Sequence, residues 1–296
     1  MSQAVLIMAH QHFDQLVELT ELLSKKFNVY VHIDKNADLD QAVIDHLNEL
    51  TAAPVIRTQA VHWGGYSIAQ AAIDLMNLAL KDSDNTYFHL ISGEDWPLKP
   101  LDQIYNFYEG NDKIYMNYWR MLDKIKTHEP QIWWIKYYFH YDQMNRRSTF
   151  GKIYHRLLLA VSGMLRINKL KKYQLDEDQM YAGQNWVDIP RDALEYALQY
   201  YHEHPVLETV FKSSFCPDEM WLQTVLCNSD YRSKIDKNIH RYIIVRKPDQ
   251  LHGIKPTVLT LKSDYDAIKQ SDAFFGRKFI SPDSDSLRQK LMGENS

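Results

Sequence analysis

The segment Cys216-Pro217-Asp218-Glu219 places two carboxylates where a helix is predicted to begin. Proline suits the first helical position, which needs no N–H, and the pattern predicts a helix from Pro217 to Val225. The positive end of a helix dipole favours an ionised carboxylate, the form that a general base needs. Glu219 is therefore a candidate for taking a proton from a hydroxyl. The alternative is that Asp218 and Glu219 only cap the helix.

A second group of charged side chains lies in the tail, where Arg277-Lys278 stands between aromatic residues and Lys255 precedes it. A departing nucleoside diphosphate carries negative charge that a divalent metal or fixed cations must stabilise. Lys255, Arg277 and Lys278 are candidates for the second arrangement. The flanking Phe274, Phe275 and Phe279 indicate a segment docked on the core, and the alternative is a solvated pair on a terminal helix.

Three short segments contain residues of the kinds that bind metals, namely His10-x-His12, His32-x-Asp34 and Glu94-Asp95. None has the ligand spacing of a first-row metal site, and no Asp-x-Asp follows a strand. The sequence therefore predicts no metal site and no cofactor.

The elements that must position these residues alternate between short apolar runs and amphipathic stretches, as β-α-β units do. The predicted strands are Val5–Ala9, Val29–Ile33, Pro54–Thr58, Tyr87–Ile91, Ile114–Tyr118 and Trp186–Ile189. The predicted helices are Phe13–Lys26, Ser67–Leu80, Leu101–Tyr108, Arg191–His202 and a short one between Tyr265 and Phe279. The fold class expected is α/β, with a Rossmann-like mixed sheet flanked by helices and a helical insertion.

No internal repeat or low-complexity linker interrupts the chain, so one catalytic domain is expected over residues 1–296. Its expected parts are a nucleotide-binding half (1–130), a basic and aromatic insertion (131–175) and an acceptor and catalytic half (176–296). In open α/β sheets, ligands bind beyond the carboxyl ends of the strands. Ala9-His10, Asp34 and Gly93-Glu94-Asp95 all follow predicted strands, and they form the candidate nucleotide pocket.

The stretch from Gln131 to Tyr173 differs from the rest in its charge, because Asp142 is its single acid. Its basic residues are Lys136, Arg146, Arg147, Lys152, Arg156, Arg166, Lys169, Lys171 and Lys172. Ile153 to Leu165 is strongly apolar. Such a stretch can lie on an anionic membrane surface, and the alternative is a helical excursion packed on the main domain.

The composition limits the classes of function. With 296 residues and 45% hydrophobic content the chain can bury a large core, and its net charge of −4 excludes a general nucleic-acid binder. The two cysteines favour a reducing compartment, and the first residues do not resemble a signal peptide. We expect a cytoplasmic protein, with peripheral contact at the inner face of a bacterial membrane as a further hypothesis.

Six segments together resemble one family, the core-2/I-branching β-1,6-N-acetylglucosaminyltransferases with the peptide xylosyltransferases (glycosyltransferase family 14). They occur in the family's order along nearly the whole chain. The segments are Val29-Tyr30-Val31-His32-Ile33-Asp34, Val61-His62-Trp63-Gly64-Gly65-Tyr66-Ser67, Tyr87 to Lys99 with Ser92-Gly93-Glu94-Asp95-Trp96-Pro97, Gly183-Gln184-Asn185-Trp186 with Pro190-Arg191-Asp192, Pro217-Asp218-Glu219, and Ser271 to Phe279.

This resemblance implies a GT-A-like fold and an inverting, metal-independent transfer from a UDP-sugar to a glycan hydroxyl, and the basic stretch adds the hypothesis of a lipid-linked saccharide as the acceptor. It implies Glu219 as the catalytic base, and a donor site of Ala9, Asp34, Trp63, Lys255, Arg277 and Lys278. The residues expected near the sugar and the acceptor are Glu94, Asp95, Trp96, Trp186 and Asp218. N-acetylglucosamine is the first candidate for the donor sugar. Xylose is the second, because Gly183-x-x-Trp186 and the tail are closer to the xylosyltransferases.

Three other interpretations stay open at this point. A sugar-binding module without catalysis would use the same aromatic residues, and a transferase could take a different nucleotide-sugar donor. A glycoside hydrolase needs two carboxylates on opposite sides of the bond. Asp218 and Glu219 are adjacent, which disfavours that reaction.

Overall fold

In the computed structural model, which describes residues 2–126, 129–245 and 256–295, short apolar runs form the strands of a central sheet. Along the described residues, the strands of the central sheet and of the smaller sheets are β1 (Ser2–Ala9), β2 (Asn28–Ile33), β3 (Asn85–Ser92), β4 (Asp95–Pro97), β5 (Ile114–Tyr115), β6 (Trp119–Arg120), β7 (Ile125–Lys126), β8 (Glu129–Pro130), β9 (Tyr181–Ala182), β10 (Val187–Pro190), β11 (Ile235–Asp236), β12 (Arg241–Ile243) and β13 (Phe275–Arg277). β1 and β3, the two longest at eight residues each, are buried over nearly their whole length, as strands covered on both faces should be.

Amphipathic stretches form the helices that cover this sheet. They are α1 (Phe13–Leu23), α2 (Gln41–Leu50), α3 (Tyr66–Leu80), α4 (Leu101–Tyr108), α5 (Trp133–Lys136), α6 (Thr149–Met164), α7 (Lys169–Lys172), α8 (Arg191–Glu203), α9 (Pro205–Lys212), α10 (Trp221–Cys227), α11 (Leu261–Gln270) and α12 (Asp285–Asn295). No helix among the described residues combines the length and apolar character needed to cross a membrane.

The central sheet has the strand order β11-β5-β10-β3-β1-β2. β1 runs parallel to β2 and β3, whereas β10 is antiparallel to β3 and β5. Ala9 pairs with Ile33, and Met8 pairs with Ser92. The carboxyl ends of three strands therefore lie level at one edge of the sheet, where the candidate pocket is predicted.

A second, smaller sheet has the order β12-β13-β4. β13 is antiparallel to β4, so that Arg277 lies opposite Asp95 and Gly276 lies opposite Trp96. The tail thus returns to the loop after β3 and brings its two cations to the edge of the pocket.

Two apolar clusters pack on the sheet. One holds α3, α8, α9 and α10, with Leu75, Ala197 and Leu226 fully buried. The other holds α1, α4, α11 and α12, with Leu19 and Phe275 fully buried. This sandwich of helices around a sheet follows from the apolar runs in the strands and the apolar faces of the helices.

A buried charge network joins the two sheets. Nη2 of Arg241 in β12 donates to Oδ1 of Asp188 in β10 at 2.7 Å, and Oδ1 of Asp188 lies 3.0 Å from Nδ1 of His89. Burial opposes the ionised form of Asp188, but Arg241 and His89 outweigh it and lower the pKa of that carboxyl. Tyr108 also donates to this carboxylate. Because the charge of Arg241 in one sheet is paired with that of Asp188 in the other, the network holds the small sheet against the central one.

The predicted α/β fold class, with a mixed sheet, flanking helices and a helical insertion, is confirmed. The predicted strand Pro54–Thr58 is reduced to one bridge between Ile56 and His32, because it lies beside an edge strand. α1 ends three residues earlier than predicted, and the strand from Ile114 ends at Tyr115. The division of the chain into halves stays a prediction.

Candidate active site

Three sequence motifs meet at the carboxyl ends of β1, β2 and β3. The amide of Asp34 donates to the carbonyl of Ala9 at 2.9 Å, and the amide of Gly93 donates to Met8 at 3.0 Å. A Cβ on Gly93 would lie only 3.2 Å from Cβ of Ala9. The residues that were predicted to be neighbours because they follow parallel strands are therefore in contact.

Asp34 organises the loop that carries Trp63. Its Oδ1 accepts hydrogen bonds from the amides of Asn36 at 2.9 Å and Val61 at 3.0 Å. Trp63 is 42% exposed, and the guanidinium of Arg147 lies 4.7 Å above its ring. The structure thus presents Trp63 as an accessible aromatic face on the loop next to Asp34, while the nucleoside-binding roles of both residues stay predictions.

The predicted cationic pair is anchored on the predicted sugar-binding carboxylates. Nζ of Lys278 lies 3.0 Å from Oε2 of Glu94, and Nη2 of Arg277 lies 3.2 Å from the same oxygen. Nη1 of Arg277 is 3.5 Å from Oδ1 of Asp95. Glu94 and Asp95 are buried, whereas the two cations remain partly exposed. The acids therefore lie beneath the cations, and the cations face outward.

These contacts decide the ionisation of Glu94. Burial raises the pKa of its carboxyl, but the charges of Arg277 and Lys278 and a hydrogen bond from Gln11 outweigh burial. The net result is a pKa below the ordinary value of a glutamate. Glu94 is an anion at neutral pH.

His10 and Gln11 belong to the same cluster. Nε2 of Gln11 donates to Oε1 of Glu94 at 2.7 Å. Partial burial, together with Lys278 and Arg277, lowers the pKa of His10 against the opposing pull of Glu94 and Asp34. His10 was predicted to lie in the candidate nucleotide pocket, whereas Gln11 was not predicted. Their position directly after β1 was the available signal.

Trp186 supports the cationic pair from another side. Its indole N–H donates to Oδ2 of Asp95 at 3.3 Å, and the guanidinium of Arg277 lies 5.3 Å from its ring centre. The amide of Ser92 donates to the same Oδ2 at 2.5 Å. Trp186 therefore holds Arg277 by a cation–π contact and is only partly buried itself.

Glu219 lies on a tight turn and not at the start of a long helix, which corrects the prediction. Pro217–Glu219 is a 3₁₀ turn, Met220 breaks it, and the α-helix begins at Trp221. Cys216, with φ of 54°, turns the chain into this segment, and its amide donates to the carbonyl of Gly64 at 2.9 Å. One short turn has little dipole, so the dipole argument for an ionised Glu219 does not hold.

The segment Gly183-Gln184-Asn185-Trp186 connects this turn to the cationic pair. The amide of Gly183 donates to the carbonyl of Glu219 at 2.8 Å, and Nδ2 of Asn185 donates to Oδ2 of Asp218 at 3.4 Å. Trp186 contacts Asp95 and Arg277 as described above. Residues 183–186 thus connect the turn of Glu219 to Arg277, although the two lie far apart in the sequence.

The close approach at Gly183 requires glycine. A Cβ there would lie 2.1 Å from the carbonyl oxygen of Asn117 and 3.0 Å from Nε2 of Gln223. A small cavity beneath the segment is lined by Met8, Asn185 and Asp218 among others, which places the turn under the end of β1. In the sequence, Gly183 is recognisable only as part of a motif, and this steric role could not be predicted.

Among the described residues, Trp96 is a predicted site residue that does not join the site. Trp96 is 0% exposed and packs against Arg288 and Phe279, so it cannot stack on a sugar ring, and its predicted contact is wrong. Alternating residues of β4 face opposite sides, which buries Trp96 and turns Asp95 toward Arg277. Lys255 lies outside the described residues.

Within the described ranges, no group of three or more His, Cys, Asp or Glu residues is arranged to hold a metal ion. His12 lies 3.8 Å from Glu94, and the latter is engaged by Lys278 and Arg277. No described residue is therefore assigned as a metal ligand.

Comparison with known proteins gives one family match. The model described as "Branch: Core-2/I-Branching enzyme" matches residues 4–250. No curated protein matches this chain.

Among solved structures, the chain is similar to the crystal structure of Core-mannan synthase A (CmsA/Ktr4) from Aspergillus fumigatus in its Mn/GDP form. The identity is 12%, the alignment covers 80% of this chain and 73% of that chain, and the TM-score is 0.37. The expectation that no divalent metal is needed is contradicted by this similar structure, which is a form with Mn and GDP. We do not retain that expectation.

Proposed function

Because the chain belongs to the Core-2/I-branching enzyme family and is therefore a glycosyltransferase, we propose that it transfers a sugar from a UDP-sugar to a glycan hydroxyl with inversion at the anomeric carbon. The family resemblance drawn from six motifs is confirmed by the match over residues 4–250. N-acetylglucosamine is the first donor sugar to test and xylose the second. The acceptor is a free glycan or a lipid-linked saccharide.

The observation that supports this reaction most is the contact between the turn of Glu219 and the segment that carries Trp186. An inverting transfer needs a base on one side of the anomeric carbon and a stabilised leaving group on the other. Gly183 holds the backbone of Glu219, and Trp186 holds Arg277. One rigid segment of four residues thus connects the proposed base with the proposed diphosphate site.

In the proposed step, the carboxylate of Glu219 takes the proton of the acceptor hydroxyl while that oxygen attacks the anomeric carbon. The bond between this carbon and the diphosphate oxygen breaks, and its electron pair leaves with UDP. An α-linked donor then gives a β-linked product. Glu219 is partly exposed, so an acceptor hydroxyl has access to it.

The chain's own cations are proposed to stabilise part of the negative charge that develops on the leaving group. Arg277 and Lys278 are partly exposed above two buried acids, and His10 lies in the same cluster. Cations fixed before the reaction need little reorganisation as the negative charge grows. Asp34 and Trp63 are proposed to bind the nucleoside beside them.

A UDP-release assay with a panel of UDP-sugars and glycan acceptors tests the proposal. Wild type should release UDP in an acceptor-dependent way, and Glu219→Gln should reduce the rate by about 10²–10⁴-fold, the usual contribution of a general base. UDP affinity should stay within about twofold in this variant, because the proposed base does not touch the diphosphate. Glu203→Gln, at the end of α8, is the matched control and should be fully active.

The same assay separates the other classes of function. A sugar-binding module would release no UDP from any donor, and a glycoside hydrolase would cleave a glycan without a donor. Undiminished turnover by Glu219→Gln would remove Glu219 from its proposed role.

A further inference from the structure

The helix α6 (Thr149–Met164) packs on the core through one face, where Tyr154, Leu158 and Leu159 are partly buried. Gly151, His155 and Ser162 are its buried residues. His155 lies within hydrogen-bond distance of Tyr141 and Glu129 in the interior. The face turned toward the protein therefore covers only part of the apolar side chains of the helix.

The opposite face carries a continuous apolar stripe. Its residues follow one another at spacings of three and four, so they lie in one line along the helix. Each is between 44% and 77% exposed: Phe150, Ile153, Leu157, Val161 and Met164. Leu165, just past the helix end, is also exposed. A globular protein normally turns such a stripe toward its core.

Basic residues border the stripe, and no acidic residue occurs between Gln143 and Tyr173. Arg156 lies next to it on one side of the helix, Lys152 lies further round on the same side, and Arg147 and Arg166 lie near its two ends. Lys169 is not part of this border, because it is buried and its Nζ donates to the carbonyl of Val210 and the hydroxyl of Ser214. The exposed face is thus apolar in the middle and cationic along one side and near both ends.

We propose that α6 lies flat on an anionic lipid bilayer, with the stripe (Phe150, Ile153, Leu157, Val161 and Met164) among the acyl chains and the basic residues at the headgroups. This combination of an apolar face and a cationic border is what interfacial helices use. With 16 residues, the helix spans about 24 Å and is too short to cross a bilayer. A protein partner or a second copy of the chain could also cover the apolar stripe, but neither would require the excess of positive charge around it.

The surface also adjoins the candidate active site. Arg147, two residues before α6, lies on the ring of Trp63, and Trp63 makes an edge contact with Phe215, which precedes Cys216. A bilayer under α6 would therefore lie close to the mouth of the pocket. This position suits an acceptor carried on a lipid.

Co-sedimentation with vesicles tests the proposal. Full-length protein should pellet at low salt with vesicles of phosphatidylglycerol and phosphatidylcholine in equal parts, and should remain in solution with phosphatidylcholine alone. The double variant Phe150→Ser/Leu157→Ser should bind at least about tenfold less, because two large side chains leave the bilayer. Both residues are exposed, so its melting temperature should match wild type. Ile125→Ser, at an equally exposed apolar residue on β7, should bind like wild type.

A second variant tests the charge separately. Lys152→Glu/Arg156→Glu should weaken binding to the anionic vesicles and reduce its salt dependence. Failure of wild type to pellet at low salt, or equal pelleting of the stripe variant, would overturn the proposal. So would a dimer in sedimentation velocity that the stripe variant disperses, since a second copy would then cover the stripe. Glu219→Gln should pellet like wild type, so vesicle binding and catalysis can fail independently.

Discussion

Nζ of Lys278 lies 3.0 Å from Oε2 of Glu94, in a cluster where Arg277 contacts the same carboxylate. The two cations proposed to stabilise the leaving diphosphate thus already have an internal anion as partner. This carboxylate fixes their positions, and it also cancels part of their charge. A diphosphate must therefore compete with Glu94 for Arg277 and Lys278, and this competition can be tested.

Glu94→Gln should make UDP bind about tenfold more tightly at neutral pH, because one negative charge next to the diphosphate site disappears. It should also lower the free energy of unfolding by about 1–3 kcal/mol, since a buried charge-assisted contact is lost. Isothermal titration with UDP and urea unfolding measure the two effects. Glu177→Gln, in a remote pair with Lys136, should leave UDP affinity unchanged. Weaker UDP binding by Glu94→Gln would mean that Glu94 itself holds the donor.

The same ion pair predicts a dependence of stability on pH. Because Arg277 and Lys278 outweigh burial and lower the pKa of Glu94 in the folded chain, the unfolded chain takes up a proton first as the pH falls. The stability from this group is then complete above the ordinary glutamate pKa of about 4.3 and is lost as the pH falls through the lower folded value. The difference between the urea midpoints of wild type and Glu94→Gln should therefore become smaller as the pH falls below about 4.

His10 must be controlled in that experiment, because its pKa is lowered within the same cluster. Its neutral form is favoured in the folded chain, so stability also falls as the pH drops below about 6.5. The comparison is therefore made in a His10→Asn background. A difference between the two midpoints that stays constant down to pH 3 would contradict the assigned direction for Glu94.

Lys278→Met should weaken UDP binding by about tenfold or more and reduce the salt dependence of the affinity, because a cation proposed to face the diphosphate is lost while its aliphatic stem remains. Titration of UDP at two salt concentrations measures both quantities. Lys290→Met, at an exposed lysine of α12 paired with Glu294, is the control and should bind UDP like wild type. Unchanged affinity in Lys278→Met would remove Lys278 from the proposed donor site.

Gly183→Ala should reduce the turnover number while UDP affinity is largely kept. The new Cβ would lie 2.1 Å from the carbonyl oxygen of Asn117, so the segment that holds the backbone of Glu219 must shift. Overpacking of this kind costs about 1–3 kcal/mol of stability. The control is Gly163→Ala in α6, where a Cβ meets nothing closer than Oη of Tyr137 at 3.8 Å. That change should stabilise the helix by about 0.5–1 kcal/mol and leave turnover unchanged.

The sequence by itself determined the strands β1, β2 and β3 and the residues at their carboxyl ends. Apolar runs of this length are local signals, and parallel strands in one sheet must end at the same edge. Ala9, Asp34 and Gly93 could therefore be predicted as neighbours. The family was also evident from the order of six motifs, since that order needs no knowledge of contacts.

Only the tertiary structure decided how the tail and the turn of Glu219 meet this edge. The pairing of Arg277 with Asp95 joins residues far apart in the chain, and β4 has three residues, too few for a periodicity to predict its partner. The same pairing decides that Trp96 is buried. The exposed stripe of α6 was a similar case, because the apolar run predicted a helix but not which face the protein would cover. Such contacts depend on how distant elements pack, and that information is not present in any local pattern of the chain.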